Sequence, residues 1–333
     1  MVQRQSQREP TPERIRVPAT SANLGPGFDT MGLALQLYDE VEVRPAESGQ
    51  LTVSVEGYGA GEVPLDERHL VLRSLRAAAR ALGEDVPAAH LHCVNRIPHG
   101  RGLGSSAAAI VAGVSAAQLL LGRTTGGKVD RDRVFAVAAE LEGHPDNVAP
   151  CVYGGFTLAW ADAHGWRCRR QDPAAGVSPV ACVPTEQLST EQARGLLPET
   201  VPHADAARTA GRAALLSLAL TQAPELLLEA TEDWLHQPYR GAAMPKSVRL
   251  LRTLREEARL PAVISGAGPT VLVLGAPSPT DGADPAQRGD LGDWIGGWAG
   301  TNWHICPVPV DTAGVATSVH TSAAPFGMPV ELP

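Results

Sequence analysis

The sequence predicts a two-lobed protein of the α+β or mixed α/β class. The chain has 333 residues, and a hydrophobic content of 44% allows it to bury one large core or two ordinary ones. Patterns typical of strands alternate with patterns typical of helices in both halves of the chain. Because single domains are usually shorter than this chain, two lobes are favoured.

The ends of the chain and one interior stretch indicate where the lobes divide. Residues 1–13 are polar with two prolines, and residues 317–333 lack any periodicity, so both are predicted to be loose tails. Glycine, proline and charged residues mix over residues 162–179, which is a candidate seam. We therefore expect an N-terminal lobe over residues 14–164 and a C-terminal lobe over residues 165–316.

The first half of the chain contains both kinds of periodicity. Strands are predicted at 38–45, 51–57, 90–98 and 154–160, and helices at 70–82, 105–121 and 131–143. Gly83 is the expected stop of the first helix, and Asp130 is the expected N-cap of the third. The helix at 105–121 is apolar enough to be buried.

The second half is richer in helix patterns. Ser189 and Gln192 form a capping box, which predicts a short helix that holds Arg194. Longer helices are predicted at 205–222, 224–236 and 246–258, followed by strands at 261–265 and 271–275 and a loop at 276–293.

Composition excludes several classes of function. The chain has 36 acidic and 28 basic residues, a formal net charge of −8, which disfavours a nucleic acid or an anionic membrane as partner. Its five cysteines are scattered and form no C-x-x-C pair, so neither a disulfide framework nor a zinc site is indicated. The N-terminus lacks an apolar signal region, and no run reaches the roughly 18 apolar residues of a membrane span. We expect a soluble, cytoplasmic protein that acts on a small molecule.

The stretch IPHGRGLGSSAA, residues 97–108, lies between a predicted strand and a predicted helix. Glycines let backbone N–H groups approach a ligand, and a helix start adds free donors and the positive end of the helix dipole. The spacing G-x-G-x-G differs from the dinucleotide-binding G-x-G-x-x-G, and no lysine follows Gly104, as a Walker A loop requires. Ala108 excludes a G-x-S-x-G nucleophile elbow around Ser106. The stretch therefore predicts a phosphate site of another kind.

A second glycine-containing stretch, GRTTGGKV at residues 122–129, matches G-x-x-x-x-G-K. It has Val129 where a Ser or Thr must bind Mg²⁺, and no strand precedes it. We interpret it as a surface loop.

Three stretches in order resemble the motifs of the GHMP small-molecule kinases. They are PATSANLGPGFDTMGLAL at 18–35, IPHGRGLGSSAAA at 97–109 and SGAGPTVLVL at 265–274. The further stretches EGHPDNVAP, LSTEQARGLLP and LHQPYR are similar to the branch of that family whose acceptor is L-homoserine. The resemblance implies an α+β fold with an N-terminal ATP-binding lobe like the second domain of ribosomal protein S5, a ferredoxin-like C-terminal lobe, and an active site between them.

The activity implied by the resemblance is transfer of the ATP γ-phosphoryl group to the hydroxyl of L-homoserine, a step of threonine biosynthesis. Mg²⁺ is the implied cofactor, and relatives are often homodimers. Ser106 would bind Mg²⁺ through its hydroxyl and Glu140 would supply a carboxylate, with Glu142 as the rival. The implied ATP-binding residues are Pro98, His99, Gly100, Arg101, Gly102, Leu103, Gly104, Ser105, Ser106, Ala107, Ala108, Gly266 and Gly268.

The same resemblance implies an amino-acid site. The implied substrate-binding residues are Asn23, Asp29, Asp146, Arg194 and Arg240, and the implied catalytic residues are Asp146, Asn147 and Arg194. The chemistry is reasonable, because a guanidinium can bind the carboxylate of a zwitterion through two hydrogen bonds and its ammonium needs carboxylates. Simpler interpretations stay open: the arginines as surface residues, Asn23 as a turn residue, Asp29 as the cap of a helix at Thr30, and His144 as a structural histidine.

Some relatives, such as mevalonate kinase, place an aspartate base near the position of Asp146 and Asn147, whereas the homoserine branch is generally thought to manage without one. We expect Asp146 to orient the substrate. Two other functions stay open, a kinase for a mevalonate-like alcohol and a catalytically silent sensor, although the retained metal ligands argue against the sensor. Thr209 and Trp234 depart from the pattern of the relatives, which puts local packing and substrate fit in question.

Overall fold

Two larger β-sheets, a two-stranded sheet of β5 and β6, and the helices packed on them form the structure, a computed structural model that describes residues 12–46, 49–275 and 290–319. The strands are β1 (Glu13–Ala22), β2 (Met31–Pro45), β3 (Thr52–Gly57), β4 (Ala89–Asn95), β5 (Thr124–Thr125), β6 (Lys128–Val129), β7 (Phe156–Asp162), β8 (Gly165–Gln171), β9 (Val180–Pro184), β10 (Ala262–Ile264), β11 (Val271–Val273), β12 (Trp303–Pro307) and β13 (Ala316–Val319). The α-helices are α1 (Leu70–Ala81), α2 (Ser105–Leu120), α3 (Arg131–Glu142), α4 (Val148–Tyr153), α5 (Thr190–Arg194), α6 (His203–Thr221), α7 (Leu227–Ala230), α8 (Gln237–Arg240), α9 (Pro245–Glu256) and α10 (Leu291–Ala299). The predicted α+β class is confirmed.

The larger sheet contains seven strands within the described residues, in the order β13-β1-β2-β4-β3, with β7 beside the first part of β2 and β8 beyond β7. Its pairings are antiparallel except for that of β3 with β4. The register of β1 and β2 shifts between Pro18 and Ala19, and Pro18 has no N–H for the ladder.

Helix α2 is buried almost all round, as its apolar sequence predicts. It packs against α1, α3 and β1. A Cβ added at Gly113 would lie 2.4 Å from the carbonyl oxygen of Val71, so the close crossing of α1 and α2 requires a glycine there. Asp130 caps α3 as predicted, since its side chain accepts the N–H of Arg133.

The smaller sheet has the strand order β10-β11-β9-β12, and every pairing in it is antiparallel. Helices lie between β9 and β10 and between β11 and β12 in the chain. This β-α-β-β-α-β arrangement is the predicted ferredoxin-like lobe. Its own apolar cluster includes Cys182, Leu254, Ile264 and Ile295.

Several of the predicted element and lobe borders differ from those in the structure. The predicted seam at 162–179 contains β8, whose residues pair with β7 from Phe156↔Gln171 to Asp162↔Gly165. The expected lobe border between residues 164 and 165 therefore falls inside a hairpin of the larger sheet. Residues 317–319 belong to β13, which pairs with β1, so the predicted C-terminal tail begins too early. Residues 1–11 and 320–333, the rest of the two predicted tails, lie outside the described residues.

The predicted helix at 224–236 is also wrong in its second half. A 3₁₀ turn over Pro224–Leu226 and α7 end it at Ala230. Asp233 then holds a turn, because its carboxylate accepts the N–H groups of Leu235, His236 and Gln237. Helix α10 begins inside the predicted loop at 276–293, of which residues 276–289 lie outside the described residues. Among the described helices, none combines the length and apolar character needed to cross a bilayer.

Asp39 of β2 fixes the entry to the glycine-rich stretch. Its Oδ1 accepts the N–H groups of Arg96, at 2.7 Å, and Ile97, at 2.8 Å, directly after β4. Burial raises the pKa of Asp39 to about 7, although both hydrogen bonds and the charge of Arg96 act in the opposite direction. The strand end that leads into the loop is therefore held by a carboxyl group whose ionisation is costly.

Replacement of Asp39 by Asn should stabilise the protein at alkaline pH, because an amide oxygen can accept the same two N–H groups without a buried charge. The folded protein retains the Asp39 proton to higher pH than the unfolded chain does, so the contribution of this residue to stability declines as pH rises from about 4 to about 7. We expect Asp39→Asn to exceed the wild type by roughly 1–3 kcal/mol near pH 8 and to match it near pH 4. Urea unfolding at both pH values measures this, and a pH-independent difference would contradict it.

Candidate active site

A cavity of about 140 Å³ lies where elements of the two lobes meet. Its walls come from the loop before α2, the segment between α3 and α4, the helices α5 and α8, and the loop between β10 and β11. The lining residues are Asn23, Gly100, Gly102, Gly104, Ser105, Ser106, Glu142, His144, Asp146, Asn147, Leu188, Ser189, Thr190, Arg194, Arg240, Gly266 and Ala267. A wider depression of about 500 Å³ lies beside α7 and α9, but its Arg255 donates to the carbonyls of Leu228 and Ala262 and so supports packing.

The glycine-rich loop lines the cavity with backbone atoms that no side chain covers. Gly100, Gly102 and Gly104 all have positive φ angles, between 64° and 75°. Gly104 is the N-cap of α2 and offers no side-chain cap, so the first N–H groups of this helix are left for a ligand. A helix N-terminus of this kind is suited to bind an anion.

Backbone contacts join the three glycine-containing motifs. A Cβ at Gly102 would lie 2.2 Å from the carbonyl oxygen of Ser265, a distance that no side chain tolerates. The Ser265 hydroxyl donates to the Gly102 carbonyl at 2.6 Å and lies 2.9 Å from the hydroxyl of Ser21. Thr20 N–H donates to the carbonyl of Leu103 at 3.0 Å. These contacts thus hold the three motifs directly against one another.

A hydroxyl and a carboxylate meet beside the start of α2. Ser106 Oγ donates to Glu142 Oε2 at 2.9 Å. Burial raises the pKa of Glu142, whereas His144 and the Ser106 hydrogen bond act in the opposite direction. Both groups are hard oxygen donors of the kind that Mg²⁺ takes together with phosphate oxygens. No group of three or more His, Cys, Asp or Glu side chains suited to a metal occurs in the described parts of the chain, so a metal here would need ligand oxygens as well.

Glu140, the sequence's first choice as metal ligand, does not line this cavity. Residues two apart on a helix lie on opposite sides, and α3 turns Glu142 toward Ser106 while Glu140 is exposed. Glu142, the rival candidate, is the carboxylate that lies against Ser106.

A histidine and a carboxylate also line the cavity. His144 Nδ1 lies 3.0 Å from Asp146 Oδ1, which also accepts the N–H of Asn147. Burial by itself would lower the pKa of His144, but the hydrogen bond to Asp146 and the charges of Asp146 and Glu142 raise it. Asp146 Oδ2 makes no hydrogen bond to any described residue. Gly32 allows this placement, since a Cβ there would lie 2.0 Å from the carbonyl oxygen of Asp146.

Asp29 and Arg194, expected on different ends of a substrate, are bound to each other. Arg194 donates from Nη2 to Asp29 Oδ1 at 2.6 Å and from Nη1 to Oδ2 at 3.2 Å. Asn23 Oδ1 accepts the Asp29 N–H at 3.0 Å, and both residues have positive φ angles. Thr30 starts no helix, since β2 begins at Met31, so Asp29 is not a helix cap.

Arg240 is a buried cation that lines the cavity. Its Nη1 donates to the carbonyl of Gly266 at 3.1 Å and contacts His236 Nδ1 at 3.2 Å, while its buried Nε has no partner. Across the described part of the chain, no carboxylate lies within 4 Å of this guanidinium. Burial, and after it the charge of Arg194, lower the pKa of Arg240. Such a group is prepared for an anionic ligand.

Most of the sequence-predicted site residues meet here, but several do not. Pro98, Leu103, Ala107 and Ala108 are buried in the protein interior. Arg101 points away and donates to the carbonyls of Pro184 and Thr185. His99 lies against Tyr58, and Gly268 packs against Met244. These residues shape the loops without lining the cavity.

Sequence reasoning missed Leu188, Ser189, Thr190 and Ala267 as lining residues. The capping box was the available signal, because Ser189 Oγ accepts the N–H of Gln192 and so places the start of α5 at the cavity. The two departures from the relatives' pattern contact each other: the N–H of Trp234 donates to Thr209 Oγ1 at 3.3 Å. Neither residue lines the cavity.

Comparisons with known proteins identify relatives of this chain. The model of the GHMP kinases N-terminal domain matches residues 69–155, and that of the GHMP kinases C-terminal domain matches residues 212–288. A homoserine kinase of Streptomyces avermitilis is 52% identical over 305 residues, which cover 91% of this chain and 94% of the relative. A homoserine kinase of Clavibacter michiganensis is 49% identical over 306 residues, with 92% and 94% covered. The crystal structure of homoserine kinase from Cytophaga hutchinsonii matches with a TM-score of 0.78 at 26% identity and covers 96% of this chain and 100% of that chain.

Proposed function

The chain belongs to the homoserine kinase family of the GHMP kinases, and we propose that its cavity transfers the γ-phosphoryl group of ATP to the hydroxyl of L-homoserine. The product is O-phospho-L-homoserine, which places the enzyme in threonine biosynthesis. A cytoplasmic location and a homodimer belong to the same proposal.

One observation carries this assignment to the cavity. A single small space is lined both by the uncapped N-terminus of α2 with the Ser106–Glu142 pair and by Arg240, a cation without a carboxylate partner among the described residues. The first set of groups suits a polyphosphate with its metal, and the cation suits the carboxylate of an amino acid. A kinase for a zwitterionic alcohol needs both.

The glycine-rich loop and the first turn of α2 bind the triphosphate in this proposal. Their N–H groups point at the ligand without Cβ obstruction, and the helix dipole favours negative charge there. Ser106 and Glu142 would hold Mg²⁺, which would neutralise the charge of the phosphate oxygens.

Arg240 binds the substrate carboxylate, because it is the cavity cation that lacks a counter-ion among the described residues. The charge of Arg194 is neutralised by Asp29, whose backbone N–H donates to Asn23. Arg194 and Asn23 both line the cavity. Asp146 keeps one free carboxylate oxygen, which suits the substrate ammonium. Asn147, held by the Thr20 hydroxyl at 2.9 Å, stands beside it.

Phosphoryl transfer through a loose transition state depends mainly on alignment and charge neutralisation. Asp146 is engaged by His144 and by the N–H of Asn147, and its role is to orient the acceptor. No side chain needs to take the hydroxyl proton before transfer.

The acceptor is tested by a coupled ADP-release assay with Mg-ATP against homoserine, serine, threonine, mevalonate and galactose. We expect homoserine to have the highest kcat/KM. Mevalonate and galactose lack the ammonium, threonine has a secondary hydroxyl, and the hydroxyl of serine is one methylene closer to the charged groups. Turnover only with mevalonate or galactose would reject the acceptor, and no turnover with any alcohol would favour the catalytically silent sensor.

Glu142→Gln and Glu140→Gln form a matched pair on one helix. Because Glu142 contacts Ser106 and Glu140 is exposed, we expect Glu142→Gln to lower kcat/KM for MgATP by about 10²-fold or more and to raise the Mg²⁺ requirement. Glu140→Gln should behave like the wild type. Rates measured across a Mg²⁺ titration decide this, and equal losses in both variants would reject Glu142 as the metal ligand.

Asp146→Asn separates an orienting role from a basic one. We expect a raised KM for homoserine with kcat within about tenfold of the wild type, because only binding is impaired. A catalytic base contributes about 10²–10⁴-fold, so a kcat loss of that size together with loss of a titration in the pH profile would identify Asp146 as a base.

A further inference from the structure

We propose that His236 is a positioning residue that fixes the guanidinium of Arg240 for the carboxylate of the substrate. This inference rests on the proposed function, in which Arg240 binds that carboxylate. His236 itself does not line the cavity and acts only through its neighbour.

Two hydrogen bonds define the state of the His236 ring. Nε2 lies 2.7 Å from the carbonyl oxygen of Gly25, which can only accept, so Nε2 carries a proton. Nδ1 faces Arg240 Nη1 at 3.2 Å, and a guanidinium can only donate. The ring must therefore be neutral, with Nδ1 as an acceptor. A second proton would remove that acceptor and bring two cations together.

The surroundings of the ring favour the neutral form. His236 is fully buried, and burial lowers its pKa, the charge of Arg240 acting in the same direction. Asp233 Oδ2, 3.5 Å from Nε2, acts in the opposite direction, as does Asp29. Asp233 is already engaged by three backbone N–H groups.

His236 leaves the useful part of the guanidinium free. Its contact and that of the Gly266 carbonyl both fall on Nη1 of Arg240. The ring of Phe28 stacks on His236, with centroids 5.1 Å apart, and the guanidinium carbon lies 5.4 Å from the Phe28 centroid. Nη1 is thus held and Nε is buried, while Nη2, which has no hydrogen-bond partner among the described residues, remains for a carboxylate oxygen. Without the acceptor, a long side chain regains rotamer freedom that binding must remove.

His236 also supports the first motif through Gly25, so the two hydrogen bonds must be tested separately. Asn places an oxygen near the position of Nδ1 and can accept from Arg240, but it is too short to reach Gly25. Gln places an amide N–H near the position of Nε2 and can donate to Gly25, but it leaves Arg240 without its acceptor. His236→Asn therefore keeps the hydrogen bond to Arg240 and loses the one to Gly25, whereas His236→Gln does the reverse.

We expect His236→Gln to raise KM for homoserine about tenfold or more and His236→Asn to stay within about threefold of the wild type, with KM for ATP and kcat little changed in both. The preference for homoserine over 3-amino-1-propanol, which lacks the carboxylate, should fall in the Gln variant and persist in the Asn variant. Thermal unfolding of both variants checks that each is folded. Equal KM values in the two variants, or a rise shared by ATP, would overturn the proposal and leave His236 with a structural role.

A second measurement does not depend on catalysis. Imidazole ¹⁵N spectra of the full chain without ligand, assigned by comparison with His236→Asn, should show a neutral His236 with its proton on Nε2. A charged ring, or a proton on Nδ1, would overturn the proposal even if the enzyme is active. Conversely, a wild type that fails to phosphorylate homoserine would reject the proposed function, while the spectrum still tests the His236–Arg240 contact.

Discussion

The close backbone contact between the glycine-rich loop and the loop after β10 determines the arrangement of the cavity. Gly102 approaches Ser265 so closely that a Cβ would overlap its carbonyl oxygen, and the Ser265 hydroxyl donates across the same contact. Because no side chains separate the two loops, groups from both lobes reach one small space. The start of α2 and Arg240 then line the same cavity, although α2 packs against the larger sheet and Arg240 lies in the chain between two strands of the smaller one.

The distribution of charge in that space follows from which ions are already paired. Arg194 and Asp29 neutralise each other through two hydrogen bonds. Arg240 makes hydrogen bonds to a carbonyl and a histidine nitrogen and to no carboxylate among the described residues, so in the proposed function its charge is left for a ligand. A buried cation without a counter-ion lowers the stability of the fold. It strengthens the binding of an anion, because the site is already arranged for the anion and need not reorganise. In the proposed function, Arg240 therefore selects an anionic group of the ligand.

Local signals were enough to predict the parts of the fold that bring backbone to the site. The glycine-rich stretch and α2 follow from loop composition and helical periodicity, and Asp130 caps α3 as its position suggests. Strand β8 could not be predicted, because the charged sequence GWRCRRQ becomes a strand only through pairing with β7. Whether Glu140 or Glu142 lies against Ser106 depends on which face of α3 packs against α2, which the local sequence does not show. The pairing of Asp29 with Arg194, 165 positions apart, depends on the packing of α5.

In the proposed function, Arg240 and Asp146 together determine selectivity between acceptors. A hydroxy acid could satisfy Arg240, but it would leave the free oxygen of Asp146 without a partner in a buried wall. A simple amine could meet Asp146 and leave Arg240 uncompensated. Unpaired buried charge is costly at either position, so each incomplete acceptor is disfavoured by the group that it cannot meet. A zwitterion satisfies both, and its hydroxyl is then directed by geometry toward the phosphate side of the cavity. In the proposed function, selectivity for a hydroxy amino acid thus arises from two opposite charges, those of Arg240 and Asp146, that the fold keeps apart.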